Sequence, residues 1–460
     1  MTHEPSGDSI AAIVLGAGKG TRMKSRMPKV LHQIGHRPMV LHSLDAARAA
    51  GAETAVVVVA PDMESVAQTV APVPTVVQRD QLGTADAVKP AREIIGDRFG
   101  TVLILYGDTP FIEPQTLEAM IALKIGAGHA VVVLGFRPDA PGAYGRLIQS
   151  ETGELTGIVE ARDATPEMLT IELCNSGVMA VDGAILFELI DQVGNANAKG
   201  EYYLTDIVEL ARRHGRTCGI VEAGADELLG VNSRAELAEA EGIFQRRRRF
   251  AAMDNGATLV DPDTVWFSHD TTVGQDVLIG PQVVFGPGVA IGDDVEIKAF
   301  SHIEGATIAS NATVGPFARL RPGADLQEGA KVGNFVEIKN AVLKQGAKVS
   351  HLTYIGDAEV GAEANVGAGT ITCNYDGYLK SRTVIGDGAF VGSNSALVAP
   401  VTIGKGAIIG AGSTIAKDVE DDALALTRAE HTEIPRAAAK YRDRKKAEKA
   451  KRAARPAEKP

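Results

Sequence analysis

Beyond residue 270 the chain carries a period that few folds can accept. Val273, Ile279, Phe285, Ile291, Ile297 and Ile303 fall six residues apart, and four of the first five are followed by glycine. The phase slips by one and resumes with Ile308, Val314, Leu320, Leu326, Val332 and Ile338. After an insertion it resumes again with Ile385, Val391, Leu397, Ile403, Ile409 and Ile415. Neither a helix nor an alternating strand has this repeat, and a β-sandwich would not hold one phase through six hexads. A triangular coil does: each of three short flat faces sends one apolar residue inward, a small residue sits at each bend, and three hexads close the turn. Each buried side chain is worth roughly 1.5 to 3 kcal/mol, yet a lone coil has two open faces, so stability comes from stacking. The expectation is a parallel β-helix of hexapeptide repeats, whose corners account for many of the 50 glycines.

The first half reads differently. Apolar, β-rich runs at Ile10 to Leu15, Ala55 to Ala60, Val102 to Tyr106 and Ala130 to Leu134 alternate with helical stretches such as Met39 to Ala50. This pattern predicts an α/β, Rossmann-like domain on a mostly parallel sheet. Glycine and polar residues cluster after strand ends, where open α/β sheets bind ligands, so Gly16 to Met23 and Gly107 to Pro110 are expected on one crevice. A linking helix is expected over Ser233 to Met253, with Arg246 to Arg249 as a solvated face. The expected boundaries are 1–235 for the α/β domain, 236–256 for the helical linker, 257–425 for the β-helix and 426–460 for a basic, flexible tail.

The net charge is −11, and because residues 434–460 are strongly basic the body is more acidic still. That balance argues against nucleic acid as a partner, and the basic tail is expected to be solvated. Cys174, Cys218 and Cys373 are widely spaced and lack a C-x-x-C pair, which points to reduced thiols. Met1 to Ser9 has no signal pattern, and no apolar run reaches spanning length. A cytoplasmic protein that meets no membrane is expected.

Leu15-Gly16-Ala17-Gly18-Lys19-Gly20-Thr21-Arg22-Met23 follows the first strand, so backbone N–H groups with few side chains in the way can surround phosphate oxygens. It is not a Walker A loop, because Gly20 follows Lys19, and it lacks the spacing of dinucleotide binders. Pro28-Lys29, Gln78-Arg79-Asp80-Gln81-Leu82-Gly83-Thr84 and Tyr106-Gly107-Asp108 follow in order. With this series ahead of the hexapeptide repeat, nearly the whole chain resembles the family of bifunctional N-acetylglucosamine-1-phosphate uridylyltransferases/glucosamine-1-phosphate N-acetyltransferases. The resemblance implies that the β-helix is left-handed. It implies that Leu15, Gly16, Ala17, Gly18, Tyr106 and Gly107 contact the nucleotide, that Gln78, Gly83 and Thr84 read uracil, and that Gly145, Glu160 and Asn175 hold the amino sugar. Asp108 and Asn232 would bind Mg²⁺, while Arg22 and Lys29 offset charge as N-acetylglucosamine 1-phosphate attacks UTP. Gly16 departs from the family, which more often carries alanine, and is expected to change loop flexibility more than chemistry.

Within the repeat, His351-Leu352-Thr353-Tyr354 and Thr372-Cys373-Asn374-Tyr375-Asp376-Gly377 bring in polar residues that a bare scaffold would not need. Loops that interrupt a rigid solenoid are natural places for a site. By the same resemblance His351 is the general base for acetyl transfer to glucosamine 1-phosphate, oriented by Glu337. Arg321, Lys339, Tyr354 and Asn365 would hold the sugar phosphate. Ala368, Asn374, Tyr375, Ser393, Ala411 and Arg428 would bind acetyl-CoA, in a site shared between neighbours of a homotrimer. Three rival readings exist. One is a single-activity nucleotidylyltransferase whose β-helix only oligomerises or regulates. Another is a zinc-dependent β-helix enzyme, for which His269, His302 and His351 offer no close pair. The third is a scaffold with a vestigial pocket, which leaves two polar constellations unexplained.

Overall fold

The computed structural model describes residues 9–453, and the chain forms two compact units divided between Val289 and Ala290. The first is built on a nine-stranded sheet. Seven of its strands are β1 (Ile10–Leu15), β2 (Thr54–Val59), β3 (Thr75–Val77), β4 (Thr101–Tyr106), β5 (Val131–Phe136), β6 (Cys174–Asp182) and β7 (Cys218–Glu222), in the spatial order β7-β5-β6-β4-β1-β2-β3. A hairpin of Arg146–Gln149 and Leu155–Val159 joins at β6. Neighbours are parallel except at β6, which runs against both β4 and β5. The central strands are unbroken apolar runs because both faces are covered, and Ala11 to Val14, Val102 to Leu105 and Val131 to Leu134 are fully buried. Helix α1 (Met39–Ala49) packs Met39, Val40 and Leu44 inward.

The linking helix, α2 (Arg234–Asp254), starts at a capping box in which Ser233 and Glu236 satisfy each other's backbone N–H groups. Arg246 is exposed as expected, but the other three arginines of the run are not a solvated face. Arg247 donates to the Phe111 carbonyl at 3.3 Å and lies over that ring, Arg248 donates to the Thr271 carbonyl, and Arg249 donates to the Val265 carbonyl at 2.9 Å. Successive helical positions point in different directions, and here they meet Phe111 on one side and the first hexapeptide coil on another. Gln245 completes the attachment by clasping both backbone polar groups of Phe267 at 2.7 Å.

In the second unit, two- to seven-residue strands stack in parallel, coil upon coil, as a left-handed β-helix. From Ile291 to Ile415 no inward hexad residue named above is more than 5% exposed. The phase slip recurs: Glu296 pairs with Thr313, one residue short of three hexads, Thr313 with Lys331 at the full length, and Lys331 with Lys348 short again. The insertion lies between Ala358 and its partner Thr383 and forms a loop closed by the Ser381 N–H on the Asn374 carbonyl at 2.9 Å. At one corner Phe300, Phe317, Phe335 and Leu352 all take left-handed backbone angles. The three rings stack at 4.8 and 5.0 Å and, with Leu352, form an exposed ridge. A last helix, α3 (Ala437–Ala453), follows the coils. Among the described residues no helix is long and apolar enough to cross a membrane.

Candidate active sites

Strands β1 and β4 end side by side, and the loops leaving them are fixed by backbone bonds from Gly16 to the Val58 carbonyl (2.8 Å) and from Gly107 to the Leu15 carbonyl (3.0 Å). They open onto a cavity of about 670 Å³. Leu15, Ala17, Gly18, Lys29, Tyr106 and Asp108 line one side, and Gln78, Gly83, Thr84, Glu160 and Asn175 face it. Gly16 and Gly107 stand behind this wall. An added Cβ would lie 3.2 Å from the Val58 carbonyl at Gly16, so glycine there eases a tight backbone approach. Gly145 backs the Asn175 side, its carbonyl accepting the Asn175 N–H at 2.8 Å.

The polar centre is a triad. The Lys29 ammonium forms an ion pair with Asp108 and donates to Asn232 Oδ1 at 2.9 Å. Asn232 is set in place by its own N–H on Glu236 of the capping box (2.6 Å), and the Val231 N–H donates to the Asp108 carbonyl at 2.9 Å. A carboxylate and an amide oxygen therefore converge on one positive charge, which is the donor set a hard cation such as Mg²⁺ accepts. Among the described residues no three of His, Cys, Asp or Glu form a metal cage, so a cation held here would take its other ligands from phosphate and water.

Gln78 is buried, and its amide nitrogen donates to the Gly83 carbonyl (3.0 Å) and to Asp86 (2.8 Å). Two acceptors fix the amide orientation, leaving the carbonyl oxygen to face a ligand. Gly83 has φ of 130°, and a Cβ there would come within 2.4 Å of the Tyr202 carbonyl, so only glycine fits. Thr84 spends its hydroxyl on the Leu204 N–H at 2.9 Å. Burial raises the Glu160 carboxyl above its ordinary range, partly opposed by Lys199.

The second constellation lies on the outer surface of the β-helix. Arg321 donates to Glu337 at 2.8 Å. Parallel register stacks Lys339 beside Gly356 and Glu337 beside Tyr354 on one sheet. Lys339 contacts Lys380 of the inserted loop, whose charge holds its amine below the usual value. His351 Nδ1 sits 2.5 Å from Asn334 Oδ1, the residue directly opposite it in the neighbouring coil. Further along this corner, the Asn394 N–H donates to the Ala368 carbonyl (2.7 Å) and the Gly412 N–H to the Ser393 carbonyl (2.8 Å), which ladders Ala368, Ser393 and Ala411 down one edge. A Cβ at Gly392 would lie 2.5 Å from the Ala411 nitrogen, so this edge can stack only with glycine. Arg428 reaches the same edge beside Gly410. Asn374 is buried against Asp357, while Tyr375 is exposed. Burial opposes the downward shift of the Asp357 carboxyl, but bonds from Asn340 and Asn374 outweigh it.

Residues 12–170 match the MobA-like NTP transferase domain, and residues 270–305 and 382–417 match the bacterial transferase hexapeptide model. The Rhodospirillum rubrum "Bifunctional protein GlmU" is 65% identical over 94% of this chain and 97% of its own length. The Rhizorhabdus wittichii protein of the same name is 60% identical over 98% and 100%. The Paramagnetospirillum magneticum one is 58% identical over 96% and 99%. The chain belongs to the family of bifunctional GlmU proteins.

Three of the expected residues stand apart from the rest of their groups. Arg22 is exposed on the short helix Thr21–Met23 and does not line the cavity. Glu337 is taken by Arg321, and the residue that touches His351 is Asn334. Asn365 is separate as well: it pairs with Lys348 and Phe390 in the ten-stranded sheet, whereas Lys339 and Tyr354 belong to strands of the other. The cavity of the α/β domain also has a wall that the sequence did not announce, formed by Lys199, Glu201 and Tyr203. Its backbone is stitched to the Gly83 loop by Tyr202 N–H to Leu82 (2.8 Å) and Ala85 N–H to Tyr202 (3.0 Å).

Proposed function

We propose that this chain makes UDP-N-acetylglucosamine in two steps, acetyl-CoA-dependent N-acetylation of glucosamine 1-phosphate followed by uridylyl transfer from UTP with release of pyrophosphate. The chain is a bifunctional uridylyltransferase and acetyltransferase, and the observation that carries this is its near-full-length identity with GlmU proteins across both halves. We assign the first activity to residues 1–235 and the second to 257–425, joined by 236–256 and followed by the basic tail at 426–460, in a cytoplasmic enzyme.

In the α/β domain a sugar-phosphate oxygen attacks the α-phosphorus of UTP, that P–O bond forms as the bond to the β-phosphate oxygen breaks, and pyrophosphate leaves with the electron pair. The nucleophile is already an anion, so positioning and charge stabilisation suffice. Gln78 offers an acceptor to the imide N–H of uracil; the same oxygen would face the unprotonated ring nitrogen of cytosine unfavourably. Glu160, Asn175 and Gly145 hold the N-acetylamino sugar. Asp108 and Asn232 would hold Mg²⁺, which supplies charge neutralisation on the phosphates when bound. Lys29 bridges the same two residues and answers phosphate charge.

In the β-helix the sugar amine attacks the thioester carbonyl carbon of acetyl-CoA, its proton passes to His351 Nε2, and the C–S bond breaks with coenzyme A leaving as the thiol. The Asn334 carbonyl oxygen on Nδ1 supports this, since an acceptor there places the proton on Nδ1 and the lone pair on Nε2. Arg321, Lys339 and Tyr354 hold the sugar phosphate, and the Ala368–Ser393–Ala411 edge with Asn374, Tyr375 and Arg428 takes acetyl-CoA. A homotrimer completes the site. Two observations support it: Asn365 lies on a different sheet from the other sugar-phosphate residues, and the exposed phenylalanine ridge ends at Leu352, beside His351.

The test compares wild type, Asp108→Ala and His351→Ala for pyrophosphate release and, separately, for thiol release from acetyl-CoA. Each substitution should lower its own half-reaction by at least about a hundred-fold and spare the other. Wild type that releases pyrophosphate but never coenzyme A would leave a single-activity nucleotidylyltransferase with a regulatory or oligomerising β-helix.

A further inference from the structure

We propose that the pyrophosphate released by uridylyl transfer passes into a second cavity, lined by Lys19, Arg26 and Arg79, that shares lining residues with the nucleotide cavity. This rests on the uridylyl-transfer reading and assigns its leaving group a site of its own. The second cavity is an open groove of about 420 Å³ in which Lys19, Arg26 and Arg79 are all exposed. Lys19 and Gln81 line both cavities and form the wall between them. Gln81 is fixed there: its backbone is left-handed, with φ of 49°, and its side-chain amide donates to the Ala17 carbonyl of the glycine loop at 3.1 Å.

The charge pattern gives the cavity its purpose. Three cations line it against a single acid, Asp62. Among the described residues none of the three cations is held in an ion pair, whereas Lys29 is committed to Asp108 and Asn232. Arg22 lies outside the lining of both cavities. The departing pyrophosphate carries several negative charges, and Lys19 is the uncommitted cation that lines both cavities, with Arg26 and Arg79 in the lining of the second. A cleft lined by one sign of charge concentrates the opposite sign, and guanidinium groups match phosphate oxygens in pairs. Arg26 and Arg79 sit in the loop before Pro28 and in the loop after Gln78, so both follow elements that already shape the nucleotide site.

The test uses the full chain in the reverse direction, with UDP-N-acetylglucosamine and magnesium pyrophosphate. In the double variant Arg26→Ala/Arg79→Ala the KM for pyrophosphate should rise by about ten-fold or more, the scale of losing charge-assisted hydrogen bonds. The KM for UDP-N-acetylglucosamine should stay within about two-fold, because it reports the first cavity. Arg26→Lys/Arg79→Lys should recover part of the loss, and unchanged acetyl transfer confirms folding. An unchanged pyrophosphate KM overturns the inference. So does an equal rise in both KM values, which would mean a general electrostatic field. Wild type that forms no pyrophosphate from UTP and N-acetylglucosamine 1-phosphate would instead overturn the uridylyl-transfer reading itself.

Discussion

In the first unit Lys29, Asp108 and Asn232 come from three loops far apart in the chain and meet at one point. In the β-helix, Asn334 and His351 meet because one lies directly opposite the other in adjacent coils. The first arrangement needs a whole sheet to bring its parts together, with side chains held by other side chains and closed over by facing loops. The second needs only register: once one coil is in place, the next delivers its residues at a fixed spacing, on an outer surface that remains open. Precision in the α/β crevice therefore depends on supporting contacts such as Asp86 on Gln78 and Glu236 on Asn232. At the β-helix corner it depends on backbone stacking.

The sharpest way to break this contrast is Asn334→Ala, which removes a side-chain support from the site where register should suffice. The expected result is a fall of about ten- to a hundred-fold in kcat for acetyl transfer, a changed pH profile because the imidazole tautomer is no longer fixed, and intact uridylyl transfer. Asn334→Asp keeps an acceptor and should restore part of the rate. An unshifted pH profile would reduce Asn334 to packing and make the contrast absolute. A smaller effect is expected from Asp86→Ala in the crevice. Freeing the Gln78 amide to rotate should lower the preference for UTP over CTP by about ten-fold, read from the ratio of kcat/KM values. Unchanged preference would mean that the loop backbone alone reads the base.

Smallest is Glu160→Gln. Its carboxyl is raised by burial, so the folded protein bears a cost of ionisation at neutral pH that disappears once pH falls below the ordinary carboxylate range. The variant should melt slightly higher than wild type at neutral pH and show no such gain in acid, while its KM for N-acetylglucosamine 1-phosphate rises. A gain that persists in acid would point to packing as its cause.

The β-helix was legible from the chain because one spacing encodes one coil: the inward residues named by period alone, Ile291 to Ile338 and Ile385 to Ile415, are all buried, whereas Leu343, Val349, Ile355, Val360 and Val366 between them are buried too and escaped the count. The recurrent one-residue shortening blurred only the phase. The parallel sheet was legible from its apolar runs, and the glycine loop from its place after β1. What stayed hidden depended on approach in space. Arg247, Arg248 and Arg249 read as a charged face because carbonyls offered by residues 111, 265 and 271 leave no mark near them in sequence. Lys199, Glu201 and Tyr203 carry no motif and enter the crevice through backbone bonds to the Gly83 loop. The exposure of Arg22 on the turn after the phosphate loop and the pairing of Glu337 with Arg321 are likewise set by the folded surroundings.

The strand order of the first sheet has a consequence for synthesis. β1 lies between β2 and β4, and β5 stays unpaired on one side until β7 arrives. A ribosome must therefore release more than two hundred residues, as far as Glu222, before that sheet can close. Each coil of the β-helix, in contrast, finds its partner one turn later, so its contacts are local and ordering can advance with the emerging chain. The half made first is the half that must wait.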